Sequence, residues 1–537
     1  MSLIRTRSRR VGRLALLAPV LALTSALFGS AAAGGGSAVA ADSTGGSTAG
    51  AAVAAASLPC DLYAAGGTPC VAAHSTTRAL YSAYTGPLYQ VRRASDGATR
   101  DIGVLSAGGY ADAAAQDAFC ARTSCLITVL YDQSGHGNHL TQAPPGGFDG
   151  PAAGGYDNLA EASAAPVTVA GHKVYGVFIA PGTGYRDNST HGIATGDQPE
   201  GMYAVLDGTH YNGGCCFDYG NAETSSLDTG NGHMEAVYFG DNKVWGYGTG
   251  NGPWVMADLE NGLFSGVEAG YNANDPSVSH RFLTAVVKGG PDQWAIRAGD
   301  AQSGGLSTYY SGPRPDVPGY DPMKKEGAII LGIGGDNSNS SAGTFYEGVM
   351  TSGYPSDATE NAVQANIAAA GYTAPAPPGG LTAGSRISLR ATTSCCTNDF
   401  LRHNSGDDNV VIAPVTSSSP AADKAAATWI VREGLGDAAC VSFESADRPG
   451  QYLRHYDFRL RVDGDDGSAL FRQDATFCPQ AGHNGQGVSL RSANYPSDFV
   501  RHYAYNAYIA GDGGSHDWDT TASWADDTSW VVGSSWA

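Results

Sequence analysis

Charged residues are scarce in this sequence, and so are the regular apolar patterns that build helical proteins. Asp, Glu, Lys and Arg together make up 15% of the 537 residues, whereas glycine occurs 74 times and tyrosine (27) outnumbers phenylalanine (15). This composition is typical of strand-rich, loop-rich proteins and argues against a helical bundle. The chain is too long for one ordinary hydrophobic core, so we expect two domains.

Long apolar runs are missing after the N-terminus. The apolar run Leu14–Phe28 follows five arginines, and small residues occur after it at 38–40. This pattern predicts a signal peptide over residues 1–40. Ser8-Arg9-Arg10 leaves both twin-arginine export and general secretion open. No later segment has the ~18 consecutive apolar residues that a membrane span needs. We expect a secreted, extracellular protein without a membrane partner, in which residues 41–57 form a flexible linker.

Basic residues are few: 31 Lys and Arg stand against 51 Asp and Glu. Five of the basic residues lie in the predicted signal peptide, so its removal changes the formal net charge from −20 to −25. Such an acidic surface repels nucleic acid, and we expect no partner of that class. Neutral ligands remain open, and we expect a monomer.

The ten cysteines can be grouped into five pairs along the sequence, as expected for an exported chain that forms disulfides. Two pairs close short loops and one closes a long loop. No C-x-x-C motif or histidine cluster accompanies the cysteines, so zinc is a poor alternative and we expect no metal. The predicted pairs are Cys60 with Cys70, Cys120 with Cys125, and Cys440 with Cys478.

Two further pairs, Cys215-Cys216 and Cys395-Cys396, consist of neighbours in the chain. Adjacent Cα atoms lie ~3.8 Å apart, which is closer than in most disulfides. A bond between neighbours would therefore close a small, strained and rigid ring.

Short apolar runs alternate with Gly, Pro, Asn and Asp clusters over residues 58–372. This alternation predicts strands joined by turns and packed as a β-sandwich. One stretch, Ser356–Ala370, carries Ala, Val and Ile at helical spacing and predicts a helix. A Pro- and Gly-rich linker at residues 373–383 ends this domain. The predicted strands include Leu126–Tyr131, Phe282–Lys288 and Ala328–Gly332.

After the linker, one theme occurs three times. Asp399–His403, Gln451–His455 and Asp498–His502 are related and lie 52 and 47 residues apart. A threefold repeat of this length predicts a β-trefoil over residues 384–537, in which three like units bury one core. The Arg-His theme could be purely structural. However, a histidine and a carboxylate that recur together supply donors and acceptors for sugar hydroxyls, so we expect binding in the second and third units.

The first unit departs from the other two at both positions that suggest binding. We therefore expect its pocket to be weak or absent. It has Asn404 and Ala426 where the second unit has Tyr456 and Asp474 and the third has Tyr503 and Asp527.

Two acidic segments of the first domain stand out from the many solvated carboxylates. In one, Asp258 and Glu260 alternate with apolar residues, which predicts that they share one strand face. In the other, an apolar strand runs into a glycine turn that presents Asp336. Carboxylates on neighbouring strand ends suit glycoside hydrolysis, because one can attack the anomeric carbon while the other protonates the leaving oxygen. The Gly-x-Ser-x-Gly elbow of serine hydrolases and the phosphate-binding Gly-x-x-x-x-Gly-Lys loop are both absent.

The most distinctive motifs are Pro59–Tyr63, Thr68–Arg78, Tyr131–Thr141, Gly214–Glu223 and Gly334–Asn337. They closely resemble the glycoside hydrolase family 54 α-L-arabinofuranosidases. The repeats at Arg454-His455 and Arg501-His502 resemble the arabinose-binding module of carbohydrate-binding family 42. The resemblance runs from about residue 58 to the end of the chain. It implies an all-β protein in which a concanavalin-like β-sandwich catalytic domain precedes the β-trefoil.

The resemblance also implies roles for single residues. Glu260 matches the family's nucleophile and Asp336 its general acid/base, so Glu260 must be ionised while Asp336 holds a proton. Cys215-Cys216 matches a vicinal disulfide that forms a flat apolar platform against the furanose ring. Retention by double displacement then needs the two carboxyl groups ~5–5.5 Å apart, and no cofactor is required. The positions that line the same pocket are Trp245, which its local sequence alone would make a core aromatic, Asp258, Asn261 and Gly335.

In the trefoil, the resemblance implies arabinose binding by two units. Cys395-Cys396 has no family counterpart, which leaves a second vicinal ring and two free thiols both open, and we expect a structural role. The implied binding residues are His455, Tyr456, Phe458 and Asp474 in the second unit, and His502, Tyr503 and Asp527 in the third.

The resemblance thus implies a secreted, exo-acting, retaining α-L-arabinofuranosidase whose trefoil holds it on arabinose-containing plant polysaccharides such as arabinoxylan and arabinan. Two other interpretations stay open. The chain could be a non-catalytic arabinose-binding lectin, because both folds also serve sugar binding alone. It could also be a glycosidase for another furanoside or a xyloside, because a pocket discriminates weakly between near-isosteres.

Overall fold

The computed structural model describes residues 57–537, apart from residues 122, 268–269, 318–319, 321, 375–377 and 439. The predicted signal peptide (1–40), nearly all of the predicted flexible linker (41–57) and the middle of the Pro/Gly linker (373–383) lie outside the described residues. Within the described range the chain is mostly strand with few helices, which confirms the all-β class.

The N-terminal part of the described chain, up to residue 373, contains three short α-helices and twenty-one strands. The helices are α1 (Pro59–Ala65), α2 (Ala113–Phe119) and α3 (Asp357–Ala369). The strands are β1 (Cys70–Ser75), β2 (Pro87–Arg93), β3 (Thr99–Gly103), β4 (Cys125–Leu130), β5 (Leu140–Gln142), β6 (Ala165–Val169), β7 (His172–Ile179), β8 (Tyr185–Asp187), β9 (Glu200–Tyr211), β10 (Asp218–Ala222), β11 (Glu235–Gly240), β12 (Tyr247–Thr249), β13 (Trp254–Asp258), β14 (Leu263–Phe264), β15 (Tyr271–Pro276), β16 (Phe282–Gly289), β17 (Trp294–Asp300), β18 (Ser307–Gly312), β19 (Ala328–Leu331), β20 (Gly343–Ser352) and β21 (Tyr372–Thr373).

Nineteen of these strands form two large sheets, and β12 and β15 pair with each other. The nine-stranded sheet has the order β18-β17-β16-β9-β20-β7-β6-β21, and β1 pairs with β20 beside this path. The ten-stranded sheet has the order β14-β13-β11-β10-β19-β8-β5-β4-β2-β3. Apolar side chains from both sheets, such as Val205 on β9 and Val237 on β11, join one core cluster. The two sheets therefore share a hydrophobic core.

The helix predicted at residues 356–370 is present as α3. Ser356 is its N-cap and accepts the backbone N–H of Thr359 at 3.1 Å, which satisfies one of the free donors of the first turn. Val363 and Ile367, four residues apart, are buried on one face of the helix. The three strands named from the sequence are also present, as β4, β16 and β19.

The C-terminal part contains three short α-helices and twelve strands, which pair into one sheet. The helices are α4 (Ala421–Ala426), α5 (Ala469–Asp474) and α6 (Trp524–Asp527). The strands are β22 (Arg386–Ala391), β23 (Asp399–His403), β24 (Val410–Pro414), β25 (Trp429–Glu433), β26 (Val441–Ser445), β27 (Gln451–Tyr456), β28 (Arg459–Gly464), β29 (Phe477–Ala481), β30 (Val488–Ser492), β31 (Phe499–Tyr503), β32 (Asn506–Ala510) and β33 (Trp530–Ser534).

Three strands, a short helix and a fourth strand recur three times in this part. Each fourth strand begins with a large aromatic residue, namely Trp429, Phe477 or Trp530, and all three side chains are fully buried in one core cluster. The indole N–H of Trp429 donates to the carbonyl of Leu401, and that of Trp530 donates to the carbonyl of Val500, both at 3.0 Å. The three units therefore build a common core.

The ten cysteines form five disulfides, and these include the three pairs expected from spacing. Cys215-Cys216 and Cys395-Cys396 are both bonded, so the question left open for the second pair is answered in favour of a ring. The five bonds are Cys60–Cys70, Cys120–Cys125, Cys215–Cys216, Cys395–Cys396 and Cys440–Cys478.

Side chains also link the two parts of the chain. The guanidinium of Arg281 pairs with Asp207 on β9 and with Asp437 in the C-terminal part, the latter at 2.9 Å. The amide of Gln473 donates to the carbonyl of Tyr211 at 2.9 Å. Across the described residues, the helices are all too short or too polar to cross a lipid bilayer.

Candidate functional site

A cavity of about 260 Å³ lies on the face of the ten-stranded sheet that points away from the shared core. Strand β13 shows the alternation: Val255 and Ala257 belong to the shared core, whereas Met256 packs with Cys216 and Leu263 on the other face. All eight residues predicted for catalysis and substrate binding in the first domain line this cavity. They are Cys215, Cys216, Trp245, Asp258, Glu260, Asn261, Gly335 and Asp336.

Glu260 leaves the sheet in a strained turn. Strand β13 ends at Asp258, and Glu260 adopts a left-handed φ of +81°, which is uncommon for any residue except glycine. The side chain of Asp258 accepts the backbone N–H of Glu260 at 2.9 Å and fixes the turn. The prediction that the two acids share a strand face is therefore wrong, because the strand ends between them. Strained backbone of this kind is concentrated at functional sites.

The loop after Asp228 surrounds the carboxylate of Glu260 with donors. Oε1 accepts the backbone N–H groups of Thr229 (2.6 Å) and Gly230 (2.7 Å) and the Thr229 hydroxyl (2.9 Å). Oε2 accepts the N–H groups of the next three residues, the last being His233 at 2.9 Å. Burial by itself raises the pKa of Glu260, but these hydrogen bonds outweigh it and hold the pKa below its usual value. The site therefore favours the ionised form.

Asp336 lies in the loop that follows β19 and is half-buried. Its Oδ1 accepts the backbone N–H of Ser338 at 2.9 Å, and its carbonyl accepts that of Phe148 at 3.2 Å. Strands β13 and β19 are separated in the sheet by β11 and β10, so the expectation of neighbouring strand ends is wrong. The loops beyond the strands, rather than adjacent strands, bring Glu260 and Asp336 to one cavity.

The Cys215-Cys216 ring forms part of the cavity wall and contains a cis peptide bond. The loop that carries Asp336 holds it in place. The carbonyl of Cys215 accepts the N–H of Ser340 at 3.2 Å, and the N–H of Cys216 donates to the carbonyl of Ser338 at 3.4 Å. The two cysteines therefore present an apolar surface beside Asp336.

The remaining predicted residues also line the cavity. Trp245 is 49% exposed, so it is not the core aromatic that its local sequence suggests. The amide of Asn261 lies 3.4 Å from Oδ1 of Asp228. The carbonyl of Gly335 accepts a hydrogen bond from Nη1 of Arg186 at 2.6 Å.

Sequence reasoning missed four residues at the site. Glu223 and Asp228 line the cavity, Arg186 is buried behind it, and the buried Asp218 interacts electrostatically with Asp258. Burial raises the pKa of both Asp218 and Asp258, and their mutual contact favours one shared proton. Asp218 and Glu223 both fall within Gly214–Glu223, so the motif itself was the available signal.

In the second C-terminal repeat unit, His455 and Asp474 lie together and are both buried. Nε2 of His455 lies 2.9 Å from Oδ1 of Asn494 and 3.3 Å from Asp474. Asp474 also accepts a hydrogen bond from Arg454 at 2.8 Å. Burial lowers the pKa of His455, which keeps the imidazole neutral and able both to donate and to accept.

The third unit has the same arrangement, except that a threonine takes the place of the asparagine. Nε2 of His502 lies 3.6 Å from Oδ1 of Asp527, and Arg501 donates to Asp527 at 2.9 Å. Thr393, from the first unit, takes the place that Asn494 has in the second, and its hydroxyl lies 2.8 Å from both His502 and Asp527. Burial lowers the pKa of His502 as well.

The other predicted binding residues of the two units lie beside these clusters. Tyr456 and Tyr503 each follow the histidine on the same strand. The guanidinium of Arg454, which donates to Asp474, lies 5.1 Å from the ring of Tyr456, and that of Arg501, which donates to Asp527, lies 5.8 Å from the ring of Tyr503. Phe458 packs against the core of the C-terminal part, and its ring lies 5.5 Å from that of Tyr495, which is 5.3 Å from the ring of His455.

The first unit holds its histidine differently. His403 bonds through Nε2 to Asp447 at 2.9 Å, and Arg402 pairs with Asp423 at 2.8 Å. In the neighbouring turn, Arg448 pairs with Asp408 at 2.5 Å. The carboxylate missing at Ala426 is thus supplied from the second unit.

A small cavity that holds an ionised glutamate and a second carboxyl group, joined to a domain with repeated histidine–carboxylate clusters, defines a carbohydrate-active enzyme of the glycoside hydrolase class. The family comparison gives the finer assignment. A family model described as "Alpha-L-arabinofuranosidase B, catalytic" matches residues 59–373, and one described as "Alpha-L-arabinofuranosidase B (ABFB) domain" matches residues 389–532. The chain belongs to the glycoside hydrolase family 54 α-L-arabinofuranosidases, with a family 42 carbohydrate-binding domain, and is an enzyme of the arabinofuranosidase type.

Similar proteins agree over nearly the whole chain. A probable α-L-arabinofuranosidase B of Aspergillus terreus is 70% identical over 484 residues, which cover 90% of this chain and 95% of the relative. An α-L-arabinofuranosidase of Hypocrea jecorina is 66% identical over 490 residues, which cover 90% and 97%. A crystal structure of an arabinofuranosidase complexed with arabinofuranosyl-α-1,2-xylobiose is 60% identical, with a TM-score of 0.79 and coverage of 89% of this chain and 100% of that one.

Proposed function

We propose that the protein is a secreted, retaining, exo-acting α-L-arabinofuranosidase that removes terminal α-L-arabinofuranosyl residues from arabinoxylan, arabinan and related oligosaccharides. The observation that carries the proposal is the meeting of Glu260 and Asp336 in one cavity, with Glu260 held ionised by backbone donors. The cavity of about 260 Å³ lies below the usual range for drug-sized ligands and suits one terminal sugar ring.

In the first step, the carboxylate of Glu260 attacks the anomeric carbon while Asp336 protonates the oxygen of the leaving group. In the second step, Asp336, now a carboxylate, takes a proton from water, and that water releases arabinose from Glu260 with retained configuration. The Cys215-Cys216 ring supplies the apolar wall beside Asp336. Asp258 fixes the turn of Glu260, and Asn261 and Trp245 close the sides.

The six donors around Glu260 have a second consequence for the first step. They occupy the lone pairs that a nucleophile needs, so at least one donor of the loop 229–233 has to turn away before attack. Gly230 and Gly232 in this loop both have positive φ, a backbone conformation that other residues rarely adopt.

The proposal also covers the fold of the two domains, the binding of polysaccharide and the export of the protein. We infer a β-sandwich catalytic domain and a β-trefoil that binds arabinose side chains through the clusters at His455 and His502. Two such clusters on one chain raise the local concentration of enzyme at the polysaccharide without touching the chemistry. Export rests on the N-terminal sequence alone, and we propose a monomer whose partners are polysaccharides rather than membranes or nucleic acid.

A second candidate activity is hydrolysis of β-xylosides. A relative from Trichoderma koningii, 65% identical over 490 residues, bears the name arabinofuranosidase/B-xylosidase. Xylopyranose and arabinofuranose are isomeric pentoses, and a pocket of this size discriminates between near-isosteres by only about 1–3 kcal/mol. We therefore propose a weaker side activity on xylosides.

The test uses 4-nitrophenyl α-L-arabinofuranoside and the matching β-D-xyloside. We expect the arabinofuranoside to give the larger kcat/KM, and NMR of the first product formed to show the α-anomer of arabinose. An inactive wild type would restore the lectin interpretation, a β-anomer would contradict retention, and a higher rate on the xyloside would reverse the substrate assignment.

Two isosteric variants test the residue roles. Glu260→Gln removes the nucleophile and should abolish turnover of both the aryl glycoside and arabinoxylan. Asp336→Asn should lower turnover of arabinoxylan by about 10²–10⁴-fold and that of the aryl glycoside less, because nitrophenolate leaves with little protonation. Asp292→Asn, at an exposed aspartate in a turn, is the matched control and should leave both rates unchanged. Full activity of either active-site variant would contradict its role.

A further inference from the structure

Glu223 is a carboxyl group of the cavity for which the mechanism above has no use. It follows β10 directly, its side chain is fully buried, and it lines the same cavity as Glu260 and Asp336. Within the described part of the chain, neither of its carboxyl oxygens has a hydrogen-bond partner. Burying a carboxyl group without a hydrogen-bond partner costs free energy. A bound ligand would supply the missing partner.

The backbone around Glu223 is held firmly, although its carboxyl group is not. The buried guanidinium of Arg186 donates to the main-chain carbonyls of Glu223 and Gly335, the latter at 2.6 Å, rather than to the Glu223 carboxyl group. The carboxyl group packs against Gly335, where the absence of a Cβ provides the necessary space. Glu223 is therefore fixed at the cavity wall, next to Gly335, the residue that precedes Asp336.

The charges around Glu223 favour its neutral form. Burial, together with the charges of Glu260 and Asp258, raises the pKa of Glu223 to about 8, and the charge of Arg186 opposes this rise. Two carboxylates in so small a space repel each other, and the backbone donors already select Glu260 as the ionised one. The titratable groups that face Glu223 are Arg186 from β8, Asp218 from β10, Asp258 from β13, and Asp228, Glu260, Tyr320 and Asp336 from the surrounding loops.

We propose that Glu223 is a substrate-contacting residue that acts as a neutral carboxylic acid and donates its O–H to a hydroxyl oxygen of the bound arabinofuranosyl ring. The inference rests on the proposed function of the cavity and assigns it a third carboxyl group. The proton stays on Glu223 throughout, so the residue orients the sugar and adds no step to the reaction. Ionisation of Glu223 removes the donor and places a second negative charge beside Glu260, and both effects lower kcat/KM.

The test compares kcat/KM for 4-nitrophenyl α-L-arabinofuranoside between pH 4 and pH 9.5 in the wild type and in Glu223→Gln. We expect the wild type to lose about tenfold for each pH unit above about 8, because one deprotonation removes activity. The amide of Glu223→Gln still donates but does not ionise. This variant should be about three- to tenfold slower at pH 5 and should lack the alkaline decline.

Asp275→Asn is the matched control. Asp275 is also a buried acid whose pKa burial raises to about 8, but it lies on β15 and outside the cavity. Its substitution should leave the alkaline decline of kcat/KM in place. A decline that disappears in this variant too would assign the effect to the fold and overturn the role of Glu223.

Three further outcomes contradict the proposal. One is an alkaline decline that is identical in the wild type and Glu223→Gln, and another is a folded Glu223→Gln without activity at pH 5, which would show that the ionised form is required. If circular dichroism shows that the variant does not fold, the wild type still decides, because a kcat/KM that stays constant up to pH 9.5 overturns the proposal. A wild type that releases no 4-nitrophenol contradicts the proposed function instead, so the two failures are distinguishable.

Discussion

Gly335 lies directly against the carboxyl group of Glu223, so closely that a Cβ at residue 335 would overlap Oε2. The backbone at both residues is held in place, because Arg186 donates to the carbonyls of Gly335 and Glu223. The backbone before Asp336 is thus packed between the buried side chains of Glu223 and Arg186.

Gly335→Ala should therefore disable catalysis while the protein still folds. The added methyl group pushes residue 335 away from Glu223 and takes Asp336 with it, and a displacement of about 1 Å costs about 10²-fold in kcat. The measurement is kcat for 4-nitrophenyl α-L-arabinofuranoside together with a thermal unfolding curve. Gly305→Ala is the control, because a Cβ there meets no atom within 4 Å. Equal activity of the two variants would contradict the close packing.

Thr229→Ala should shift the acidic limb of the pH profile. The Thr229 hydroxyl is one of six donors to Glu260, and hydrogen bonds to the charged form lower the pKa of a carboxyl group. Its removal raises the pKa of Glu260, so kcat/KM falls at pH 4 and changes little at pH 6. The comparison is with Thr99→Ala, an exposed threonine on β3. An acidic limb that moves to lower pH would show that the hydroxyl does not stabilise the carboxylate.

The three histidines of the C-terminal repeats should differ in their effect on binding to polysaccharide. His455→Ala and His502→Ala each remove the centre of a histidine–aspartate cluster. Each should lower the retention of the protein on insoluble arabinoxylan by about tenfold while leaving turnover of the aryl glycoside unchanged. His403→Ala is the matched variant in the first unit, where we predict a weak or absent pocket. A loss of retention as large as in the other two would show that the His403–Asp447 pair also binds sugar.

Asp275→Asn should change how stability depends on pH. Burial raises the pKa of Asp275 to about 8, above the value of about 3.9 in an unfolded chain. The proton-bound form is therefore favoured by folding, and this contribution to stability is complete below about pH 4 and is lost as the pH rises toward 8. The asparagine variant does not ionise, so its free energy of unfolding should exceed that of the wild type by about 1–3 kcal/mol at pH 8 and not at pH 4.

Urea denaturation at the two pH values measures this difference. Asp292→Asn, at an exposed aspartate, should behave as the wild type does at both. A variant of Asp275 that is destabilised equally at pH 4 and pH 8 would show that the carboxyl group is needed in its ionised form.

Much of the fold followed from local pattern. The strands β4, β16 and β19, the helix α3 and the threefold repeat all appear where apolar pattern and repeat spacing predicted them. These features depend on residues close in the chain, so a single sequence contains the necessary information. The placement of Asp258 and Glu260 on one strand face failed, because alternation alone does not show that Asp258 caps a turn and ends the strand.

The sequence predicted which residues line the candidate site, but not how they are arranged in space. The resemblance to a family identified eight residues that line one cavity, yet it gave no role to Glu223, Arg186 or the donors of the loop 229–233. Backbone N–H groups have no signature in a sequence, since every residue except proline carries one. Their convergence on Glu260 depends on the path of the loop.

The sequence by itself determined the all-β class, the division into a Gly-rich first part and a threefold second part, and the chemical types available for catalysis. Tertiary structure alone decided that Glu260 and Asp336, carried by strands that are not adjacent, meet in one cavity. It also decided that the histidine of each C-terminal unit is completed by a residue of the next unit. The physical reason is that pKa values, donor geometry and cavity shape arise from groups distant in the chain, whose distances are fixed only when the sheets pack.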